Sequence, residues 1–122
     1  MSVLGIRNSI KDISLRVDTG AAYDSSSLYH KLTMIEDALL DLKDRFPHDS
    51  WLPQLGLGLA QVFAKIPFPA AQVHANDELD WVVAEYPNTN QASYASDMLR
   101  LRLGQTTVDV PIEPTLPSNA AP

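Results

Sequence analysis

One short pattern occurs twice in this chain, and it restricts the fold more than any other feature. The first copy runs Leu39-Leu40-Asp41-Leu42-Lys43-Asp44-Arg45-Phe46-Pro47-His48-Asp49-Ser50-Trp51-Leu52. The second runs Leu79-Asp80-Trp81-Val82-Val83-Ala84-Glu85-Tyr86-Pro87-Asn88-Thr89-Asn90-Gln91-Ala92, with Pro87 lying 40 positions after Pro47. In each, an amphipathic stretch ends on an aromatic–Pro pair. Proline lacks the N–H that a helix interior needs, and it biases the residue before it away from helical backbone. Ser50 and Asn90, three positions after the prolines, are candidate caps for the helix that follows. The pattern therefore reads as helix–turn–helix, twice over.

Overlaying the two prolines aligns Ile35 with Ala75, Leu39 with Leu79, Leu42 with Val82 and Phe46 with Tyr86. Beyond the turn the same shift aligns Leu52 with Ala92, Leu55 with Ala95, Gly56 with Ser96 and Leu59 with Leu99. A helical-hairpin period near 40 is that of an α-solenoid, in which each unit buries its apolar side against its neighbours. The expected fold is all-α: antiparallel helical hairpins stacked as a short solenoid of four to five helices, with a Pro-rich C-terminal tail.

Taken in order, residues 3–17 carry Val3, Ile6, Ile10, Ile13 and Val17 at alternating spacings of three and four, a helical stripe. The end of that segment, Ile13-Ser14-Leu15-Arg16-Val17, also alternates with period two, so a strand is the competing reading for residues 1–20. Gly20 marks a stop. A polar linker follows, with Ser25, Ser26 and Ser27 as possible caps. Leu28, Leu32, Ile35, Leu39, Leu42 and Phe46 then form the cleanest stripe in the chain. Leu52, Leu55, Leu59, Val62 and Ile66 form the next, with Gly56 and Gly58 inside it. Each glycine costs a helix about 1 kcal/mol against alanine, a cost usually offset by close approach of a neighbouring helix. Ile66-Pro67-Phe68-Pro69 breaks this helix. Ala75, Leu79, Val82 and Tyr86 mark the inward side of another, with Asp77, Glu78 and Asp80 outward. Ala92, Ala95, Leu99 and Leu103 mark the last, with Gly104 as its stop. The expected domain is residues 1–104, of which 28–103 hold the two helix–turn–helix units. Residues 105–122, with four prolines, read as an extended or disordered tail.

Leu52-x-x-Leu55-Gly56-x-x-Leu59 resembles the first-helix pattern of a tetratricopeptide repeat, with Leu52 where that repeat usually has Trp and Leu59 where it has Tyr. Ala75, Leu79 and Pro87 are spaced like its second-helix Ala, its Phe position and its closing Pro. Glu85-Tyr86-Pro87-Asn88-Thr89 is similar to the Tyr-Pro-Asn-Ser joints in repeats of bacterial outer-membrane assembly lipoproteins and Tol-Pal accessory proteins. The resemblance covers residues 28–103 and implies a non-catalytic scaffold that binds other proteins.

Composition narrows the function classes. With 15 acidic against 9 basic residues the net charge is −6, which disfavours nucleic acid and anionic membrane surfaces as partners. Leu52 to Ile66 is the longest apolar stretch, too short to span a bilayer. Residues 1–18 lack the basic-then-apolar order of a signal peptide. The chain has no cysteine, hence no disulfide or thiolate site, and neither feature selects a compartment. A soluble protein, cytoplasmic or periplasmic, fits either way.

Few residues nominate chemistry. His74 and Glu78 lie at i, i+4 with Asp77 adjacent, a spacing able to hold a divalent ion if a third ligand came from another helix. His30 is weaker, with Thr33 and Met34 at the positions three and four residues on and Asp37 as its nearest same-face carboxylate, and His48 sits in a turn beside Asp49. No serine lies in a Gly-x-Ser-x-Gly elbow, and Gly56-x-Gly58 is no phosphate loop. Glu36, Asp37, Asp41 and Asp44 read as a solvated helix face. No cofactor or metal is expected. Trp51 reads as packing over the Phe46-Pro47 turn, and Trp81 lies beside the Leu79–Val82–Tyr86 stripe, where an exposed Trp would suit a protein interface. The expected role is a protein–protein interaction module or structural subunit of a larger assembly. Trp51, Trp81, Leu99 and Leu103 are the candidate interface residues, and self-association or a protein partner the expected company. The alternative is a small helical metal-binding protein or enzyme using His74, Glu78 and neighbouring acids.

Overall fold

A computed structural model describes residues 1–20 and 24–109. Among them the structure is helical throughout: α1 (Val3–Asp18), α2 (Ser25–Arg45), α3 (Leu52–Lys65), α4 (Pro69–Glu85) and α5 (Asn90–Asp109). The ambiguous N-terminal segment is a helix. Ile6, Ile10 and Ile13 are buried while Leu15, which a strand would have turned to the same side as Ile13, is exposed. Ser2 Oγ caps it by accepting from the Gly5 N–H at 3.0 Å. Gly20 follows at φ +69°, left-handed backbone that glycine adopts without a Cβ clash.

The aromatic–Pro joints share one backbone solution. Phe46 closes α2 at φ −135°, ψ 61°, and Tyr86 closes α4 at φ −132°, ψ 54°. At the first joint the Asp49 N–H donates to the Phe46 carbonyl at 3.0 Å; at the second the Thr89 N–H donates to that of Tyr86 at 3.2 Å. Asp49 Oδ1 then accepts from the Trp51 N–H at 2.8 Å, and Thr89 Oγ1 from the Ala92 N–H at 3.1 Å. Thr89 therefore caps α5, correcting Asn90. α3 starts at Leu52 without the expected Ser50 cap, and Asp49, two positions after Pro47 as Thr89 is after Pro87, closes the turn that leads into it. The 40-residue register survives the correction. The joints also touch: the Tyr86 hydroxyl donates to the Pro47 carbonyl at 2.9 Å. Burial and the Glu85 and Asp49 carboxylates push the Tyr86 phenol above its ordinary pKa, which keeps that donor protonated.

Three further boundaries differ from expectation. Asp24, one residue before the serines, caps α2 through the Ser26 N–H and the Ser27 hydroxyl, both at 3.0 Å. Phe46 leaves the buried stripe and is 53% exposed, because its non-helical backbone swings it away from the helix axis direction that buries Leu42. Gly104 does not stop α5, which continues to Asp109, so residues 105–109 belong to a helix. An interior glycine weakens a helix without ending it, and the next true breaker is Pro111. The rest of the expected tail, 110–122, lies outside the described residues.

α3 is the hub. It packs against α1, α2, α4 and α5, while α1 also meets α2 and α4 meets α5. One apolar cluster joins α1, α2 and α3 with Ala71 and Ala75 of α4. A second joins Ala60 of α3 with Leu79 and Val82 of α4 and Ala92 and Ala95 of α5. Trp81 packs against both. Gly56 is what lets it in: a Cβ there would stand 2.7 Å from Trp81 Cζ3 and 3.1 Å from Val82 Cγ2. The expected close approach at a helical glycine is therefore real at Gly56. At Gly58 the nearest outside atom, Ile10 Cγ2, would be an ordinary 3.5 Å away.

Candidate functional site

Two features beyond apolar packing mark the surface and the helix seams. The first is a charged seam between α2 and α4. Lys43 Nζ donates to Glu78 Oε1 at 3.0 Å, and His74 Nδ1 lies 2.7 Å from Glu36 Oε1. The two glutamates are themselves hydrogen-bonded. Burial, then the hydrogen bond and negative charge of Glu78, push the Glu36 carboxyl up to about 8, against a smaller opposing pull from Lys43. A protonated Glu36 donating to Glu78 leaves one carboxylate for one ammonium, a neutral arrangement that a partly buried seam tolerates. Aromatic rings close the seam at both ends. His74 stacks on Phe63 with centroids 4.9 Å apart and meets Tyr29 edge-on, while Lys43 Nζ stands 3.6 Å from the Trp81 ring centroid.

The seam corrects two sequence expectations. Glu78 is buried, not outward, and Glu36 is not part of a solvated face. His74 and Glu78 do share a side of α4, and both face α2: His74 meets Glu36, and Glu78 meets Lys43 and Glu36. Among the described residues no three His, Asp or Glu side chains form a group able to hold a metal ion. Glu36 and Lys43 escaped the sequence reading because their partners lie on another helix. A signal was there: each of Glu36, Lys43, His74 and Glu78 sits one position from a buried stripe residue (Ile35, Leu42, Ala75 and Leu79).

The second feature is a groove along α3, walled by α1 and α5. It consists of two adjoining cavities of about 510 and 620 Å3 that share Ile10, Lys11, Gly58 and Gln61. Arg7 and Lys11 stand on the α1 wall, and Gln54, Gln61 and Gln91 supply amides from α3 and α5. At the far end Lys65 bridges to Asp18, which holds the Asp18 carboxyl below its ordinary pKa. Among the described residues Arg7 and Lys11 make no ion pair. In a chain of net charge −6, this groove carries a local positive excess.

The nominated interface residues scatter. Trp51 is exposed at the start of α3, where it meets α1: the Arg7 guanidinium lies 5.3 Å from its ring centroid. Trp81 is half-buried between Gly56, Lys43 and Tyr86, so its ring belongs to internal packing. Leu99 is half-buried against the α3–α4–α5 cluster, and Leu103 is exposed on α5. Tyr94 and Leu101, also exposed on α5, were not singled out, although their spacing of seven places them on one helix face. No helix among the described residues is long and apolar enough to cross a membrane. Compared with protein-family models, with curated proteins and with solved structures, the chain matches none.

Proposed function

We propose that this protein is a non-catalytic interaction module, a structural subunit whose helices stack as a short tetratricopeptide-like solenoid and whose open end associates with a second copy. The next-neighbour and next-but-one packing around α3 supports the stacked arrangement. The observation that carries the association is the outer stripe of α5. Tyr94 is 56% and Leu101 is 65% exposed, on the last described helix of the stack. Solenoid units bury their apolar sides only against neighbours, and α5 has α3 and α4 on its inner side alone. Antiparallel pairing of two α5 helices about a two-fold axis sets Tyr94 of one copy against Leu101 of the other.

Light scattering tests this directly. The native chain is expected to run as a dimer, and the Tyr94→Asp/Leu101→Asp variant as a monomer with unchanged helical circular dichroism. A native chain that stays a folded monomer at every concentration overturns the reading.

A further inference from the structure

The chain has nine Lys and Arg side chains, and most have a partner among the described residues. Lys43, Arg45, Lys65 and Arg100 pair with carboxylates, Arg102 donates to Gln72 and Asn76, and Arg7 lies over the Trp51 ring. The side chains of Lys11, Arg16 and Lys31 make no ion pair or hydrogen bond among the described residues. With 15 acidic residues in the chain, an unpaired cation is the exception. Two of the three, Arg16 from α1 and Lys31 from α2, converge on one cleft of about 260 Å3 between those helices. Its floor is apolar and buried, formed by Ile13 and Ile35. Met1 and Met34 line it and are largely exposed, and methionine is an unbranched side chain that adapts to whatever it covers. Asp12 is the only acidic side chain in the lining among the described residues, so two positive charges on the rim face one negative.

An apolar floor under a rim of net positive charge complements an amphiphile that carries one negative charge. The Arg16 guanidinium offers parallel N–H donors that match a carboxylate, and Lys31 reaches the same head group from the facing helix as a point charge. Asp12 tells against a second negative charge on the ligand, and a neutral or cationic amphiphile would leave both rim cations unanswered. We infer that the α1–α2 cleft binds a fatty carboxylate, a single-chain monoanionic amphiphile. Its head group sits between Arg16 and Lys31, and its alkyl chain lies over Ile13 and Ile35 with Met34 against it. α5 lends this cleft no residue, so the site is independent of pairing through that helix.

The test is a titration of sodium octanoate into the full chain, followed by nuclear magnetic resonance of isotope-labelled Ile and Met methyl groups. Saturable shifts are expected at Ile13, Ile35 and Met34, with Met98, in the groove beside α5, unmoved. Affinity should rise about twofold to fourfold for each CH2 added from butanoate to octanoate, the upper figure being that of full burial. Octanol and octylammonium, which lack the negative head group, should bind more weakly by about threefold or more. Arg16→Gln and Lys31→Gln should each weaken octanoate binding about threefold, and Asp12→Asn should tighten it by a similar factor. Lys11→Gln changes the net charge equally but lies outside the cleft, and it should leave binding unchanged. All four residues are exposed, so the core is untouched, and circular dichroism checks this. Absence of any shift at about 10 mM octanoate overturns the inference. So do equal shifts at Met98, equal binding of octanol, or an affinity that ignores chain length. A loss in Lys11→Gln as large as that in Lys31→Gln overturns it as well, since it would mark attraction to the chain's overall charge.

Discussion

Helix α4 is held on two sides by opposite means. Toward α3 and α5 the contact is dry and close, with Leu79 and Val82 fully buried and Trp81 laid over the bare backbone of Gly56. Toward α2 it is polar, with Lys43–Glu78 and His74–Glu36 crossing the seam. Shape decides the first interface and charge balance the second. A single added carbon is an injury on one side, while on the other a residue of equal size but wrong charge does the damage. The two sides also differ in what the solvent can change. Salt and pH leave the α3 side alone, whereas the α2 side depends on where one shared proton resides.

Removing the cation should produce the largest effect. Lys43→Met keeps most of the stem but leaves Glu78 without its ammonium, in a seam where the two side chains are only 13% and 7% exposed. Leaving a buried charge unpaired destabilises by about 3 kcal/mol, visible as a lower urea midpoint at unchanged slope. The Lys43→Met/Glu78→Met double variant should regain most of the loss, since it removes the stranded charge too. If the double variant is as unstable as the single, the polar side of α4 is not governed by charge balance.

The shared proton gives the next effect. Glu36 is pushed up to about 8 in the folded chain, against 4.5 ordinarily, so the folded state holds a proton that the unfolded state gives up. The contribution is complete below about pH 4.5 and declines as pH rises toward 8, on the order of 2 kcal/mol after allowance for the coupling to Glu78. Glu36→Gln keeps a neutral donor toward Glu78 and an acceptor toward His74. Denaturant titrations from pH 5 to 8 should show a falling midpoint for the native chain and a nearly flat one for Glu36→Gln. A native midpoint that rises over this range contradicts the assignment.

The difference between the two sides also explains what was legible in the sequence. The stripes Leu28–Leu32–Ile35–Leu39–Leu42 and Leu52–Leu55–Leu59–Val62 are local, since a period of 3.6 needs no knowledge of partners, and proline stops are nearly absolute. Helix caps and the polar residues that close turns are softer. Asp49 beside Ser50, and Thr89 beside Asn90, are chemically interchangeable neighbours, and only the hydrogen bonds choose between them. Gly104 misled because glycine both ends helices and survives inside them. Phe46 and Tyr86 share a register and a backbone, yet one is exposed and the other bonded to Pro47, a distinction made by what packs next to each. The charged seam was least legible of all. Four polar residues beside two apolar stripes are indistinguishable from a solvated face until α2 and α4 are known to lie together. For the same reason Tyr94 and Leu101 could be placed on one face of α5 from spacing, but their exposure could not.

On the dry side, Gly56→Ala should cost about 1 to 2 kcal/mol. The new methyl meets Trp81 Cζ3 at 2.7 Å, and that ring has little freedom to retreat, being held by Lys43 and packed edge-on against Tyr86. The gain from alanine's helix propensity, about 1 kcal/mol, offsets only part of the clash. A shift in Trp81 near-ultraviolet dichroism should accompany the loss, and unchanged stability would show that the ring gives way freely.

Gly58→Ala sharpens that result with a change of sign, and it is the smallest effect of the set. The same residue type lies two positions along the same helix, but its added methyl would find Ile10 Cγ2 at 3.5 Å, ordinary van der Waals contact. Nothing has to move, so the propensity gain survives and the variant should be more stable by up to about 1 kcal/mol. The pair separates two explanations for a glycine-bearing helix. If tolerance of α3 were set by propensity alone, both alanines would stabilise. If both positions were needed for close packing, both would destabilise. Opposite signs, read as urea midpoints moving in opposite directions, are expected only if the close approach of α4 is confined to the one turn that carries Trp81.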